Sequence, residues 1–317
     1  MKLSFQQIKD ITAGAIKIWQ EDSCVYFSKC SEKQIDAWHN LETALGERAK
    51  TTTGIRLDFH TNSSRFGFTA SKGKKFEIYI NGILSHNITA DDLINGTYSI
   101  TLDTSIKNTR VTFILPSHEV GALSSVEIED GAAIIPHTFG KKILFIGDSI
   151  TQGWDSGYDS LSFAQRFSRY FNADCVIQGV GGGFFEQSII DPELNYDPDI
   201  IIVALGTNDW GKTSLNQLEK NIDAFFKKLT VVYNGKPIVA ISPIWRADNH
   251  ISKDNITFWE VCDLVKSQVK KHELILVDGE KMVPHLPCFF ADEILHPNAL
   301  GFSFYTENLI KEIGYLM

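Results

Sequence analysis

The apolar residues of this chain change their spacing once, near Thr138, and that change constrains the fold more than any other feature. From Ala15 to about Ile135 they alternate in short runs: Ile55, Leu57, Phe59; then Phe76, Ile78, Ile80; then Val111, Phe113, Leu115. Period two over short runs marks half-buried strands. Asn81-Gly82 and Asn95-Gly96 supply hairpin turn chemistry between them. After Thr138 the runs become continuous, at Ile143–Ile146, Cys175–Ile177, Ile200–Leu205, Ile238–Ile241 and Leu274–Val277. Strands buried on both faces of a parallel sheet read this way. Between them Leu215, Leu218, Ile222, Phe225, Phe226 and Leu229 recur at helical steps, as do Phe258, Val261, Cys262, Val265 and Val269.

The pattern predicts two domains. Residues 1–138 form an antiparallel β-sandwich of jelly-roll-like type. Residues 139–317 form an α/β domain, a doubly wound parallel sheet of flavodoxin-like order whose ligands bind beyond the C-terminal ends of the strands. The whole chain, 317 residues long, has room for two cores.

Composition excludes several classes of partner. Thirty basic residues against 39 acidic ones give a net charge of −9, which argues against nucleic acid and anionic membranes. No stretch approaches the roughly 20 apolar residues of a membrane-spanning helix. Five cysteines are scattered without a CxxC pair, so neither a disulfide framework nor a thiolate metal site is indicated. With no apolar leader segment at the start, the expected compartment is the cytoplasm.

The strand ends carry the chemistry. Strand 142–146 runs into Gly147-Asp148-Ser149-Ile150-Thr151, which delivers a serine hydroxyl to the mouth of the crevice. Such a hydroxyl needs a base within hydrogen-bond reach and a third group to orient that base. The second strand ends in a glycine loop, Gly179 to Gly183, which does not fit the dinucleotide spacing GxGxxG. Its amides can approach a bound atom closely and form an oxyanion hole. The third strand ends in Gly206-Thr207-Asn208-Asp209, bringing an amide donor to the same edge, and Asp292-Glu293-Ile294-Leu295-His296-Pro297 precedes the last helix. Taken singly, each of these residues has an ordinary role as a cap, turn or loop residue. Together they supply what acyl transfer requires, in an order the fold can bring together.

These four blocks resemble the SGNH (GDSL) hydrolase superfamily over roughly residues 140 to 317. The resemblance implies that Ser149 is the nucleophile and His296 its base. It also implies that Gly182, Asn208 and the Ser149 amide bind the oxyanion, with no metal or organic cofactor. Two positions depart from the family pattern. The family places Asp three residues before the histidine, where this chain has Glu293, with Asp292 one residue earlier, so the third triad member is either of the two. Gln178 stands where the family has Asn, which leaves the oxyanion glycine open among Gly181, Gly182 and Gly183.

A β-sandwich ahead of such a domain is similar to the family-two carbohydrate esterases. Trp154, Trp210 and Trp245 each follow a sheet strand, where they can stack on a sugar or pack loops over the sheet. The expected function is a serine esterase acting on short acyl, above all acetyl, esters of a small molecule or oligosaccharide. Its alternatives are a lysophospholipase or thioesterase on longer chains, and a catalytically dead glycan-binding protein. The oligomeric state is left open.

Overall fold

A computed structural model describes all 317 residues, and the chain divides into two compact units. The first comprises Met1–Cys30 and Lys50–Phe139, the second Ser31–Ala49 and Gly140–Met317. This departs from the expected partition into 1–138 and 139–317, because residues 31–49 are helical and pack within the second unit. The signal for them was legible: Ser31 and Gln34 form a reciprocal capping box at the start of a helix, the S-x-x-Q pattern.

The first unit is a sandwich of two antiparallel sheets. One runs in the spatial order Thr12–Ala13, Arg56–Thr61, Thr109–Ile114, Phe76–Ile80, Ile83–Ile88; the other runs Lys17–Glu21, Cys24–Ser28, Ala122–Ile128, Arg65–Lys72, Thr97–Thr101. Ile55, Leu57, Phe59, Phe76, Ile78, Val111, Phe113 and Leu115 all lie in its core, as the alternation requires. Four phenylalanines knit the two inner faces: Phe68 lies 4.4 Å from Phe113 and 5.0 Å from Phe76, and Phe66 lies 5.6 Å from Phe113.

In the second unit we label α1 (Glu32–Leu41), α2 (Thr43–Ala49), β1 (Lys141–Gly147), α3 (Ser149–Gln152), α4 (Phe163–Tyr170), β2 (Ala173–Gly179), β3 (Ile200–Ala204), α5 (Leu215–Val232), β4 (Ile238–Ile241), α6 (Phe258–Lys271), β5 (Ile275–Val277) and α7 (Ala299–Ile313). The strands pair in parallel in the order β2-β1-β3-β4-β5, which is the flavodoxin-like order. Each continuous apolar run of the sequence became one of these strands, as expected of strands buried on both faces; Gln178, at the end of β2, is a buried polar exception. The order of the strands sets the crevice: Gly147 at the end of β1 pairs with Gly179 of β2 on one side and Ala204 of β3 on the other. No helix is long and apolar enough to cross a membrane.

Candidate active site

β1 ends at Gly147, and Asp148 caps the next helix by accepting the N–H of Ile150 at 2.9 Å. The cap is therefore Asp148, and Ser149 is freed to be the first residue of α3. That helix lasts four residues, and its end turns on Gly153 in the left-handed region at φ 91°. The β2 loop lies against α3 so closely that a Cβ on Gly179 would stand 2.4 Å from the Gln152 nitrogen, a separation only glycine allows.

The serine and histidine predicted from the sequence meet. Ser149 Oγ lies 2.9 Å from His296 Nε2, although 147 positions separate them in the chain. Ser149 is 6% exposed, so the hydroxyl is reachable but shielded. On the other side of the imidazole, His296 Nδ1 lies 2.8 Å from Asp292 Oδ2.

The loop before α7 explains why Asp292, and not Glu293, reaches the imidazole. Glu293 adopts the left-handed conformation at φ 58°, and Asp292 Oδ1 accepts the N–H groups of Ile294, Leu295 and His296 at 2.9, 2.7 and 3.0 Å. One carboxylate oxygen thus holds the turn and the other holds the imidazole. Burial pushes the Asp292 carboxyl up, but the hydrogen bonds from Leu295, Ile294 and His296 outweigh it and hold the group below the usual carboxylate range. Glu293, at the family spacing, is exposed and makes no hydrogen bond to the imidazole. A second carboxylate, Asp155, has an oxygen 3.6 Å from His296 Nδ1 and went unrecognised in the sequence. Asp155, Asp292 and His296 each offer a donor atom within 4.8 Å of the others, with Asp292 and His296 committed to each other.

The hydrogen bonds their N–H groups already make separate the three glycines. Gly181 N–H donates to Gln152 Oε1 at 2.8 Å, and Gly183 N–H donates to Val180 O at 2.7 Å. Gly182, at φ 83°, keeps an N–H with no acceptor in the protein, as does Ser149. Asn208 donates from Nδ2 to Gly183 O at 3.0 Å, which spends one of its two amide hydrogens and ties the β3 loop to the β2 loop.

Helices α1 and α2, absent from the sequence reading, support this loop. Trp38 stacks edge-on against Phe184 at 6.0 Å, Gln34 and Gln178 exchange amide hydrogen bonds at 2.9 and 2.8 Å, and Arg48 Nη1 donates to Gly181 O at 2.7 Å. Gln178, the departure from the family's Asn, is therefore paired inside the second unit.

Of the three tryptophans, Trp154 lies at the site, its ring 6.3 Å from that of His296. Trp245 is half-buried and stacks on His285 at 5.5 Å. Trp210 does not serve as a sugar platform: it is 3% exposed, donates its N–H to Ile256 O, and has Arg246 and Lys253 over its ring. Position after a strand put it at the sheet edge, but the packing of α6 covers it, with Phe258 5.4 Å away.

Two buried acids, Asp148 after β1 and Asp209 after β3, stand at the same strand ends. Burial pushes the Asp209 carboxyl up to about 7, aided by the charge of Asp148 and opposed by the N–H of Phe185. Burial likewise pushes Asp148 up to about 6, against the N–H of Ile150 and the nearby His296. With both folded values raised, the native state holds protons that the unfolded chain has released above about pH 4, so stability falls as pH rises from there to about 7. Asp209→Asn keeps an acceptor for Phe185 and removes this titration. Urea unfolding of the variant should gain roughly 1–4 kcal/mol over the parent near pH 8 and show a flatter pH profile; equal profiles would contradict a buried charge at Asp209.

A family model described as "GDSL-like Lipase/Acylhydrolase family" matches residues 145–303. Among solved structures, the salicylyl-acyltransferase SsfX3 from a tetracycline biosynthetic pathway overlaps with a TM-score of 0.81 at 17% identity, over 96% of this chain and 94% of its own. A Bacteroides ovatus protein described as a GDSL-like lipase overlaps at 0.77 and 17%, over 100% and 97%. A family two carbohydrate esterase from Clostridium thermocellum, in complex with cellohexaose, overlaps at 0.62 and 15%, over 84% and 93%. At these identities the likeness is one of fold. No curated protein matches by sequence.

Proposed function

The chain belongs to the GDSL-like lipase/acylhydrolase family, and from that premise we propose that it is a serine esterase releasing short acyl groups, acetyl first, from a carbohydrate alcohol. The observation that carries the reading is the continuous relay Asp292–His296–Ser149, with contacts of 2.8 and 2.9 Å. His296 Nε2 takes the proton of the Ser149 hydroxyl as its oxygen attacks the ester carbonyl. Asp292 holds the proton on Nδ1 and stabilises the imidazolium. The negative oxygen is received by the N–H groups of Ser149 and Gly182 and the remaining Asn208 amide hydrogen. Collapse passes the proton from His296 to the departing alcohol and leaves an acyl-Ser149 ester. Water, deprotonated by the same imidazole, then releases the acid and restores the serine.

Support for a sugar alcohol comes from the overlap of both units with a cellohexaose-bound esterase and from Trp154, an aromatic face beside the imidazole. All five cysteines are free thiols, in keeping with a reducing compartment such as the cytoplasm. A second reading is acyl transfer to an alcohol other than water, favoured by the overlap with an acyltransferase along nearly the full chain.

The test compares acetyl, butyryl, octanoyl and lauroyl aryl esters with acetylated oligosaccharides, and follows the products with and without an added acceptor alcohol. Acetyl esters should be turned over fastest, with acetate as the product. Preference for the long chains would replace this reading with a lysophospholipase or thioesterase, and an acylated acceptor in place of free acid would establish the transferase. Sugar binding without turnover of any ester would leave a glycan-binding protein.

A further inference from the structure

We propose that Arg48, carried into the second unit by α2, is a positioning residue of the oxyanion hole: it fixes the Gly181–Gly182 peptide so that the Gly182 N–H is available to the oxyanion. The inference rests on the reading of Ser149 as nucleophile and extends it to a residue outside the four motif blocks. The peptide linking Gly181 to Gly182 is flanked by glycine on both sides, and glycine permits both orientations of such a peptide at little cost. One orientation offers the oxyanion an N–H, the other a repelling carbonyl oxygen. In a trans peptide the carbonyl and the following N–H point in opposite directions, so a group that holds Gly181 O also decides where Gly182 N–H points.

Arg48 Nη1 holds that oxygen at 2.7 Å. A charged donor makes a stronger bond to a carbonyl than a neutral one. The neighbouring peptides are held independently, Gly181 N–H by Gln152 Oε1 at 2.8 Å, Gly183 N–H by Val180 O at 2.7 Å and Gly183 O by Asn208 at 3.0 Å. The Gly181–Gly182 peptide has Arg48 as its anchor. The guanidinium also stands 3.0 Å from where a Cβ on Gly182 would be, with Leu45 of the same helix at 3.3 Å, so α2 both shapes and orients this turn.

The experiment measures the rate at which a fluorophosphonate modifies Ser149, read by mass spectrometry, together with kcat and KM on an aryl acetate. The phosphonyl oxygen occupies the place of the oxyanion, so its rate reports the hole directly. Arg48→Ala is expected to slow modification and to lower kcat by up to about 10²-fold, the scale of losing one oxyanion donor, with KM unchanged. Methylguanidinium added to that variant should restore part of the rate. Arg48→Lys, which retains the charge and most of the stem, serves if the alanine variant does not fold, and should lose about tenfold in kcat because an ammonium lacks the planar fork. Full kcat in a folded variant, or a loss carried by KM alone, overturns the proposal. Absence of modification in the unaltered protein instead overturns Ser149 as nucleophile, so the two failures are told apart.

Discussion

Ser149→Ala is expected to lower kcat for ester hydrolysis by about 10⁶-fold while leaving KM and thermal stability nearly unchanged. The magnitude follows from the geometry. The hydroxyl that His296 Nε2 contacts at 2.9 Å is removed, and water entering in its place is neither held against the carbonyl nor able to form the acyl ester. Stability should barely move, because Ser149 caps nothing: the capping oxygen belongs to Asp148. His296→Ala should cost about as much, and the double variant should cost no more than either alone, since the two act as one unit. Steady-state kinetics on an aryl acetate, with enzyme purified free of host esterases, checks all three. A Ser149→Ala rate within about tenfold of the parent would remove the serine from the mechanism. Additive losses in the double variant would mean that the two groups serve different steps.

How much of this was legible in the sequence depends on what each feature is made of. The five parallel strands were legible because burial on both faces writes itself as an unbroken apolar run, and Ile143, Leu144, Phe145, Val176 and Ile201 are all completely buried. The meeting of Ser149 with His296 and of the Asn208 loop with the glycine loop was legible because strand ends in this fold converge on one crevice, so residue type at a strand end nearly determines place. Helices α1 and α2 were missed because they interrupt a run of strands with only a few apolar anchors, chiefly Trp38, Leu45 and Ala49. Their capping box was the available signal. Arg48 could not be recognised before they were, and its contact with Gly181 lies 133 positions away.

The choice among glycines depends on which amide is already spent, and that is a property of hydrogen-bond partners across three loops. Which of its two expected roles Trp210 takes, sugar platform or loop packing, was illegible for a related reason. Strand ends fix where a residue begins but not which way its side chain turns, and here Lys253 and Arg246 cover the ring.

The acid is the sharpest case, because two carboxylates stood side by side in the sequence and a single backbone dihedral separated them. With Glu293 in the left-handed region, the chain from 292 to 296 closes tightly enough for Ala291 N–H to reach His296 O at 2.8 Å, and the carboxylate four positions before the histidine meets Nδ1. Asp292→Asn is therefore expected to lower kcat by about 10⁴-fold, and Glu293→Gln to leave it within about twofold. The reason is the tautomer. Asn Oδ1 would keep the three N–H groups of Ile294, Leu295 and His296 that Asp292 Oδ1 now accepts, so its NH₂ group faces Nδ1. An NH₂ facing Nδ1 requires a lone pair there, which places the ring proton on Nε2 and leaves Ser149 without a base. The fold should survive, since the turn keeps its acceptor. Asp155, 3.6 Å from Nδ1, is the one other carboxylate in reach, and Asp155→Asn added to Asp292→Asn measures how much it compensates. Kinetics of the two single variants decide the matter: a large loss in Glu293→Gln with an active Asp292→Asn would mean that the loop rearranges around substrate and that the family spacing holds after all.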